Sequence, residues 1–374
     1  MKKFVLIPDS FKGTMSSTQI CSVMSESIRR HFPDSEIVSI PVADGGEGSV
    51  DAFLRALGGE KVWLEVNNPY FEPMQSFYGL IDNGRTAVIE MASCAGLPLV
   101  EDRKNPAKTT TYGVGQLILA AAKSGVERIV VGLGGSSTND GGCGAAAAAG
   151  VKFLNAEGKE FVPTGGTLID IDRIDASSVA PELKSVQIVT MCDIDNPMFG
   201  ETGAAYIFGP QKGADAALVK ELDKGLHHLG DVILRDLGRD LTSVPGGGAA
   251  GAMGVGMVAF FGATLQMGIE TVLDTVNFDA VIADADTIFT GEGKIDTQSL
   301  RGKVVIGVAR RAKKQGKRVI AVVGGADENI EAAYGDGVTA IFTINRLPQD
   351  LSVSRSHSLE NLAFAMDNIL RLMG

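Results

Sequence analysis

Four cysteines in 374 residues (Cys21, Cys94, Cys143 and Cys192) are too few and too scattered for a disulfide framework, and no Cys-x-x-Cys pair starts a zinc knuckle. Their scarcity fits a reducing compartment. Histidine is equally rare, and the adjacent His227 and His228 offer no metal-ligand spacing. No run of Lys or Arg carries interleaved aromatics, and the net charge is −11, so nucleic acid is not an expected partner. A membrane span is missing too. The uncharged stretch 246–268 comes nearest, but its eight glycines would make a weakly apolar helix, and a buried glycine-rich loop and helix is expected instead. The N-terminal MKKFVLIPDS has a continuous run of only four apolar residues before Pro8, too short for a signal peptide. These absences predict a cytoplasmic protein without a membrane partner.

What the chain does have is glycine, 47 of them in short clusters, which suggests backbone turning sharply or approaching a ligand. Hydrophobic and charged fractions of 45% and 21% are those of an ordinary globular protein. The length favours two domains. Residues 3–8 read as a strand leading through Asp9, Ser10 and Lys12 into a helix over 17–31, which Ser16 or Ser17 can cap. A second strand, 36–42, leads through Asp44 and Glu47 into a helix over 50–57. Two such units argue for a parallel, doubly wound sheet. From residue 61 alternating runs over 61–66, 74–81 and 86–90 read as a β-meander opening a different domain. Helices follow over 112–124, 216–237 and 268–276, with strands over 128–131 and 185–191. The α/β style returns with strands over 280–290, 318–323 and 339–343 and helices over 303–314 and 358–372. The two ends share a style that the middle lacks, so they are expected to fold together around an insertion.

The most informative stretch is 130–150, VVGLGGSSTNDGGCGAAAAAG: a strand, a glycine-and-hydroxyl turn, then an alanine helix. Glycine frees backbone N–H groups beside a helix N-terminus, a site for an anion such as phosphate. It is not a dinucleotide-binding fingerprint, because the third glycine after Gly132 and Gly134 would be residue 137, a serine. No Walker A sequence occurs either. Three further polar turns follow predicted strands: 44–47, 193–196 and 292–296. Grouped carboxylates repel unless a cation joins them, and magnesium with phosphate oxygens is the obvious one. Lys12, Lys212, Lys294 and Arg301 could hold phosphates or a substrate carboxylate. Together these groups suit phosphoryl transfer. A non-catalytic, flavodoxin-like binding module remains the alternative, weakened by the number of candidate acids and bases.

The motifs IPDSFKGTMSS (7–17), PVADGGEGS (41–49), GLGGSSTNDGG (132–142), CDIDNP (192–197), GPQKGA (209–214) and GEGKIDTQSLRGKV (291–304) resemble, in this order, those of the bacterial glycerate kinases of glyoxylate and glucarate catabolism. The resemblance covers essentially the whole chain. It implies an α/β protein with a flavodoxin-like domain from residues 1–65 and 283–374 and an inserted, restriction-enzyme-like α/β domain from 66–282. It also implies ATP- and Mg2+-dependent phosphorylation of D-glycerate, at the 2-hydroxyl, in the cleft between the domains, by a monomer or homodimer. On this reading Gly134, Gly135, Ser136, Ser137, Asn139, Asp140 and Lys212 hold the nucleotide phosphates. Asp193, with Glu292 or Asp296, holds magnesium or acts as base. Lys12, Asp44, Glu47 and Arg301 face glycerate, with Lys12 and Asp44 also catalytic. A kinase for another small hydroxy acid or sugar acid, or a nucleotide-binding protein without activity, are the rivals.

Overall fold

The computed structural model describes residues 1–42, 45–347 and 350–374, so Asp44 lies outside the described residues. The chain is a mixed α/β protein with parallel sheets. It forms two compact units, one of Met1–Asp44, Arg55–Leu57 and Met267–Gly374, the other of Gly45–Leu54 and Gly58–Gln266.

The first unit holds the strands Lys3–Pro8, Glu36–Ser39, Thr287–Gly291, Val319–Val323 and Ala340–Thr343, all parallel, with the second strand outermost beside the first, then the third, fourth and fifth. The three central strands are almost wholly buried and read as continuous apolar runs, as parallel strands covered on both faces do. One face, through Phe4, Leu6, Phe289 and Val322, packs on the helices Ser17–His31 and Ser358–Met373. Helix Val304–Lys313 also packs against the three central strands. Ser16 starts the first helix as expected: its hydroxyl accepts the Gln19 N–H at 3.2 Å, and Gln19 Oε1 accepts the Ser16 N–H at 2.9 Å. The strand expected over 280–290 is a correction. Phe278–Val281 is a helical turn entered through Asn277 at φ 51°, and the strand is only Thr287–Gly291. A short apolar run does not separate the two by pattern alone. Here Asp286 fixes the strand's start by accepting the Lys3 N–H at 2.7 Å.

The second unit is built on a six-stranded sheet in the order Thr264–Gln266, Gln187–Met191, Arg128–Gly132, Thr86–Glu90, Pro73–Ile81, Glu60–Asn67. The first four are parallel, and the last two complete an antiparallel meander. Glu60–Asn67 pairs along its full length with Pro73–Ile81, so it belongs to this sheet, whereas the sequence reading sets the domain boundary at 65/66. Ile129, Val131 and Ile188 pack under the helices Tyr112–Lys123, Ala216–Leu237 and Ala249–Phe261. The last of these lies in the uncharged run, buried as expected. No helix of the described residues is long and apolar enough to cross a membrane.

Candidate active site

In the second unit, Glu90, Gly132, Met191 and Gln266 end four adjacent parallel strands in line. The turn 133–142 leaves from this row, where α/β sheets carry their ligand sites. Ser136, Ser137, Thr138, Asn139 and Asp140 are all buried. Ser137 donates to the Ala95 carbonyl at 2.9 Å. Lys212, 2% exposed, donates to Ser136 Oγ at 2.8 Å and to the Thr138 carbonyl at 2.6 Å. Burial pushes the Lys212 ammonium down to about 7, against the opposing charge of Asp140.

Asp140 is a tie rather than an open ligand. Its Oδ2 accepts the Thr111 N–H at 2.7 Å, the Thr111 hydroxyl at 2.8 Å and the Gly144 N–H at 3.2 Å, and Oδ1 accepts the Gly142 N–H at 3.2 Å. It thus joins the starts of the helices Tyr112–Lys123 and Cys143–Ala148. Burial raises its pKa, and these bonds oppose the rise. By contrast, Thr138 Oγ1 and both amide atoms of the fully buried Asn139 have no hydrogen-bond partner among the described residues. Buried polar atoms left so cost free energy.

The turn after Asp44 lies against this loop, in the same unit. Gly134 donates its N–H to the Gly45 carbonyl at 3.0 Å. A Cβ on Gly132 would stand 2.2 Å from that carbonyl oxygen, so the approach requires glycine. The sequence reading groups this turn with Lys12 in the domain 1–65 and 283–374, whereas Gly45–Leu54 falls in the second unit. Glu47 is exposed nearby. Glu90 is a functional candidate that sequence reasoning missed: a buried carboxylate, raised in pKa by burial, whose Oε2 accepts the Val50 N–H at 3.1 Å at the start of helix Ser49–Leu57. Its signal was the one used elsewhere, an acid closing an apolar strand. Asp193 is exposed just beyond strand Gln187–Met191, after Cys192, whose thiol bonds the Ile194 and Gly246 carbonyls at 3.5 Å.

In the first unit, Pro8 and Gly291 are register partners, so Asp9 and Glu292 leave the sheet side by side. Burial pushes the Glu292 carboxyl up to about 7, with a lesser push from the charge of Asp9, and its Oε1 has no hydrogen-bond partner among the described residues. A Cβ on Gly293 would stand in van der Waals contact with the backbone of Phe11 and Lys12, and the Lys12 side chain is exposed. Asp296 caps its own turn. Its Oδ1 accepts the N–H groups of Gln298 at 2.9 Å and Ser299 at 3.0 Å, and although burial pushes its pKa up, these bonds bring it below the usual range. Arg301 is exposed at the end of that turn, and Lys294 pairs with Asp327 at 3.1 Å.

The first unit therefore gathers Lys12, Glu292 and Asp296 around one sheet edge, and the second gathers the 134–140 turn, Lys212 and Glu47 with Asp193 on another strand end. Among the described residues no three His, Cys, Asp or Glu side chains are arranged to hold a metal ion. This donor set does not make an all-protein metal cage.

Comparison with known proteins places these loops in context. The profile of the Glycerate kinase family matches residues 4–374. A glycerate kinase of Halalkalibacterium halodurans is 43% identical over 95% of this chain and 93% of its own. A glycerate 2-kinase of Escherichia coli K12 is 42% identical over 98% of this chain and 97% of its own. A crystal structure from Salmonella typhimurium LT2, assigned as a glycerate kinase 2, superposes with a TM-score of 0.87 at 39% identity, covering 100% of this chain and 98% of that one. The chain belongs to the glycerate kinase family, and it is a kinase.

Proposed function

We propose that the protein transfers the γ-phosphoryl group of ATP to the 2-hydroxyl of D-glycerate, giving ADP and 2-phosphoglycerate. The observation that carries this reading is the turn 134–140 at the carboxyl edge of a parallel sheet, buried from Ser136 to Asp140, with Lys212 anchored in it. Glycine backbone and unsatisfied side-chain donors at such an edge suit an anionic ligand. The Gly135 backbone, with Thr138 and Asn139 beside it, is read as the phosphate cradle, and Gly134, whose N–H is taken by the Gly45 carbonyl, sets its position. Lys212, Ser136, Ser137 and Asp140 act by holding its shape.

In the first unit, Lys12 and Arg301 supply positive charge for the glycerate carboxylate, and the family resemblance also assigns Asp44 and Glu47 to glycerate. Mg2+ binds with one or two carboxylates while keeping phosphate oxygens and waters as its other ligands. Glu292, beside Asp9 and with its buried Oε1 unpartnered among the described residues, fits such a partial site, and Asp193 is the other carboxylate that the family resemblance implies for magnesium. The metal would neutralise charge on the transferring phosphoryl group. Asp193, Glu292 or Asp296 takes the proton as the hydroxyl oxygen bonds phosphorus and the bond to ADP breaks.

The first unit is read as flavodoxin-like, supported by its parallel 2-1-3-4-5 strand order. The restriction-enzyme-like reading of the second rests on family resemblance. The flavodoxin-like domain proposed over 1–65 and 283–374 gives up the strand Glu60–Asn67 to the inserted domain and gains Met267–Ile282 from it, and a cytoplasmic location is proposed. A coupled ADP-release assay over a panel of small hydroxy acids and sugar acids tests the reading. D-glycerate should give the highest kcat/KM, and NMR of the product should show phosphorus on O2. Fast turnover of another acid with glycerate poor, or nucleotide binding without ADP release, would overturn it.

A further inference from the structure

The strand Glu60–Asn67 is the outermost strand of the six-stranded sheet, with no strand of the described residues along its far edge. Its hairpin sets the hydrogen-bond phase. Asn68 N–H donates to the Glu72 carbonyl at 2.8 Å, so the even-numbered residues behind it bond to Pro73–Ile81 and the odd-numbered ones turn N–H and C=O outward. Asn67 obeys this phase, since its N–H leaves the sheet for Gln116 Oε1 at 2.7 Å. Lys61, Trp63 and Glu65 therefore present backbone donors and acceptors to the open edge. Trp63 is 59% exposed, with its ring 4.9 Å from that of Phe77. Native sheets protect such edges with proline, bulges, short strands or charged side chains; this strand runs eight residues in unbroken register with its neighbour, and its outward positions Lys61 and Glu65 carry charges of opposite sign.

We propose that this edge pairs with the same edge of a second copy of the chain, antiparallel about a two-fold axis at Trp63, joining two sheets into one. The strand is self-complementary about that axis. Lys61 falls opposite the partner's Glu65, Glu65 opposite the partner's Lys61, and the two Trp63 residues meet at the centre. All of these are outward-facing positions, so the new pairs use the phase the edge already presents. A slip of two residues takes Lys61 off Glu65, and a slip of four sets Lys61 or Glu65 against its own copy, which is unfavourable. Lys61 also pairs with Asp51 of its own chain at 2.9 Å, so the dimer places a carboxylate on either side of it. The contact is isologous and closes at two copies.

Sedimentation of the full chain tests this, with dimer expected for the wild type. Glu65→Lys sets like charges opposite each other at both symmetric pairs and should weaken dimerisation roughly tenfold or more. Lys61→Glu should do the same. An equimolar mixture of the two single variants should form heterodimers as tight as the wild type, because each charge then meets its opposite. Trp63→Cys should give a covalent dimer on mild oxidation. The four native cysteines are buried, and a hydrogen-bonded pair spans a Cα separation of about 5.5 Å, within disulfide reach. A wild-type chain that stays monomeric up to its solubility limit would overturn the proposal. So would a dimer indifferent to both charge reversals.

Discussion

The ammonium of Lys212 lies 2.8 Å from Ser136 Oγ and 2.6 Å from the Thr138 carbonyl oxygen, and the residue is 2% exposed. A lysine so enclosed cannot reach far to a ligand. It fixes the turn on which the nucleotide is proposed to sit, and thereby links a residue after 209–211 to a loop more than seventy positions earlier.

Replacing Lys212 by Met keeps the bulk and removes the donor. The Thr138 carbonyl loses its bond, a loss of about 1–2 kcal/mol, and kcat/KM for ATP should fall roughly tenfold. Initial rates against ATP at saturating glycerate check this. Unchanged constants would remove Lys212 from the site. The charge has a second signature. Burial lowers the folded pKa to about 7 from 10.5, so between these values the unfolded chain holds the extra proton. Stability should therefore rise with pH across that window in the wild type, and Lys212→Met should lack that rise in urea unfolding.

Asp140→Asn tests the tie between two helix starts. The carboxylate accepts three N–H groups and a hydroxyl, whereas an amide would turn an NH2 toward some of those donors. Thermal or denaturant unfolding should show a loss of about 2–4 kcal/mol. Stability equal to wild type would show that the carboxylate is not the tie.

Much of this was legible in the sequence because each β-α unit carries its own punctuation. The apolar run 3–8, the Ser16 cap and the meander with Asp82-Asn83-Gly84 all appear where local pattern put them. What local pattern lacks is the identity of a distant neighbour. Nothing in Ala43 to Gly48 says that Gly45 will press on Gly132, and nothing in GPQKGA says that Lys212 will be buried in another loop. Likewise Ser137, Asp140 and Asp296 read as free polar groups in a line of sequence, yet each is hydrogen-bonded to backbone. The alanine block after Cys143 illustrates the same point. Composition suggests a helix and Cys143–Ala148 forms it, but its end, where Ala149 and Gly150 turn the chain into a strand at Lys152–Leu154, is not written in the alanine run.

Two substitutions separate the proposed substrate roles. Lys12 is exposed, so Lys12→Ala should leave folding intact and raise KM for glycerate about tenfold, through loss of one charge-assisted contact. If both kinetic constants stay as in the wild type, the carboxylate is held elsewhere. Asp193→Asn should instead lower kcat by at least a factor of about 100, as expected of a base or metal ligand, and wild-type turnover would exclude both roles.

Glu292 offers a test in which stability and activity move in opposite directions. Burial raises its folded pKa to about 7 from the ordinary 4.5, so the folded protein favours the protonated form. That contribution to stability is full below about pH 4.5 and is lost as pH rises through about 7, a change of about 3 kcal/mol. Glu292→Gln is neutral throughout and should not share the decline. It should match the wild type near pH 4.5 and exceed it by up to about 3 kcal/mol at pH 8, measured by denaturant unfolding without nucleotide or metal. ADP release should meanwhile fall, because the carboxylate proposed to hold magnesium or the hydroxyl proton is gone. Parallel pH dependences for the two proteins would mean that Glu292 ionises as an ordinary carboxylate. A more stable but fully active variant would leave its burial as a structural cost unconnected with catalysis.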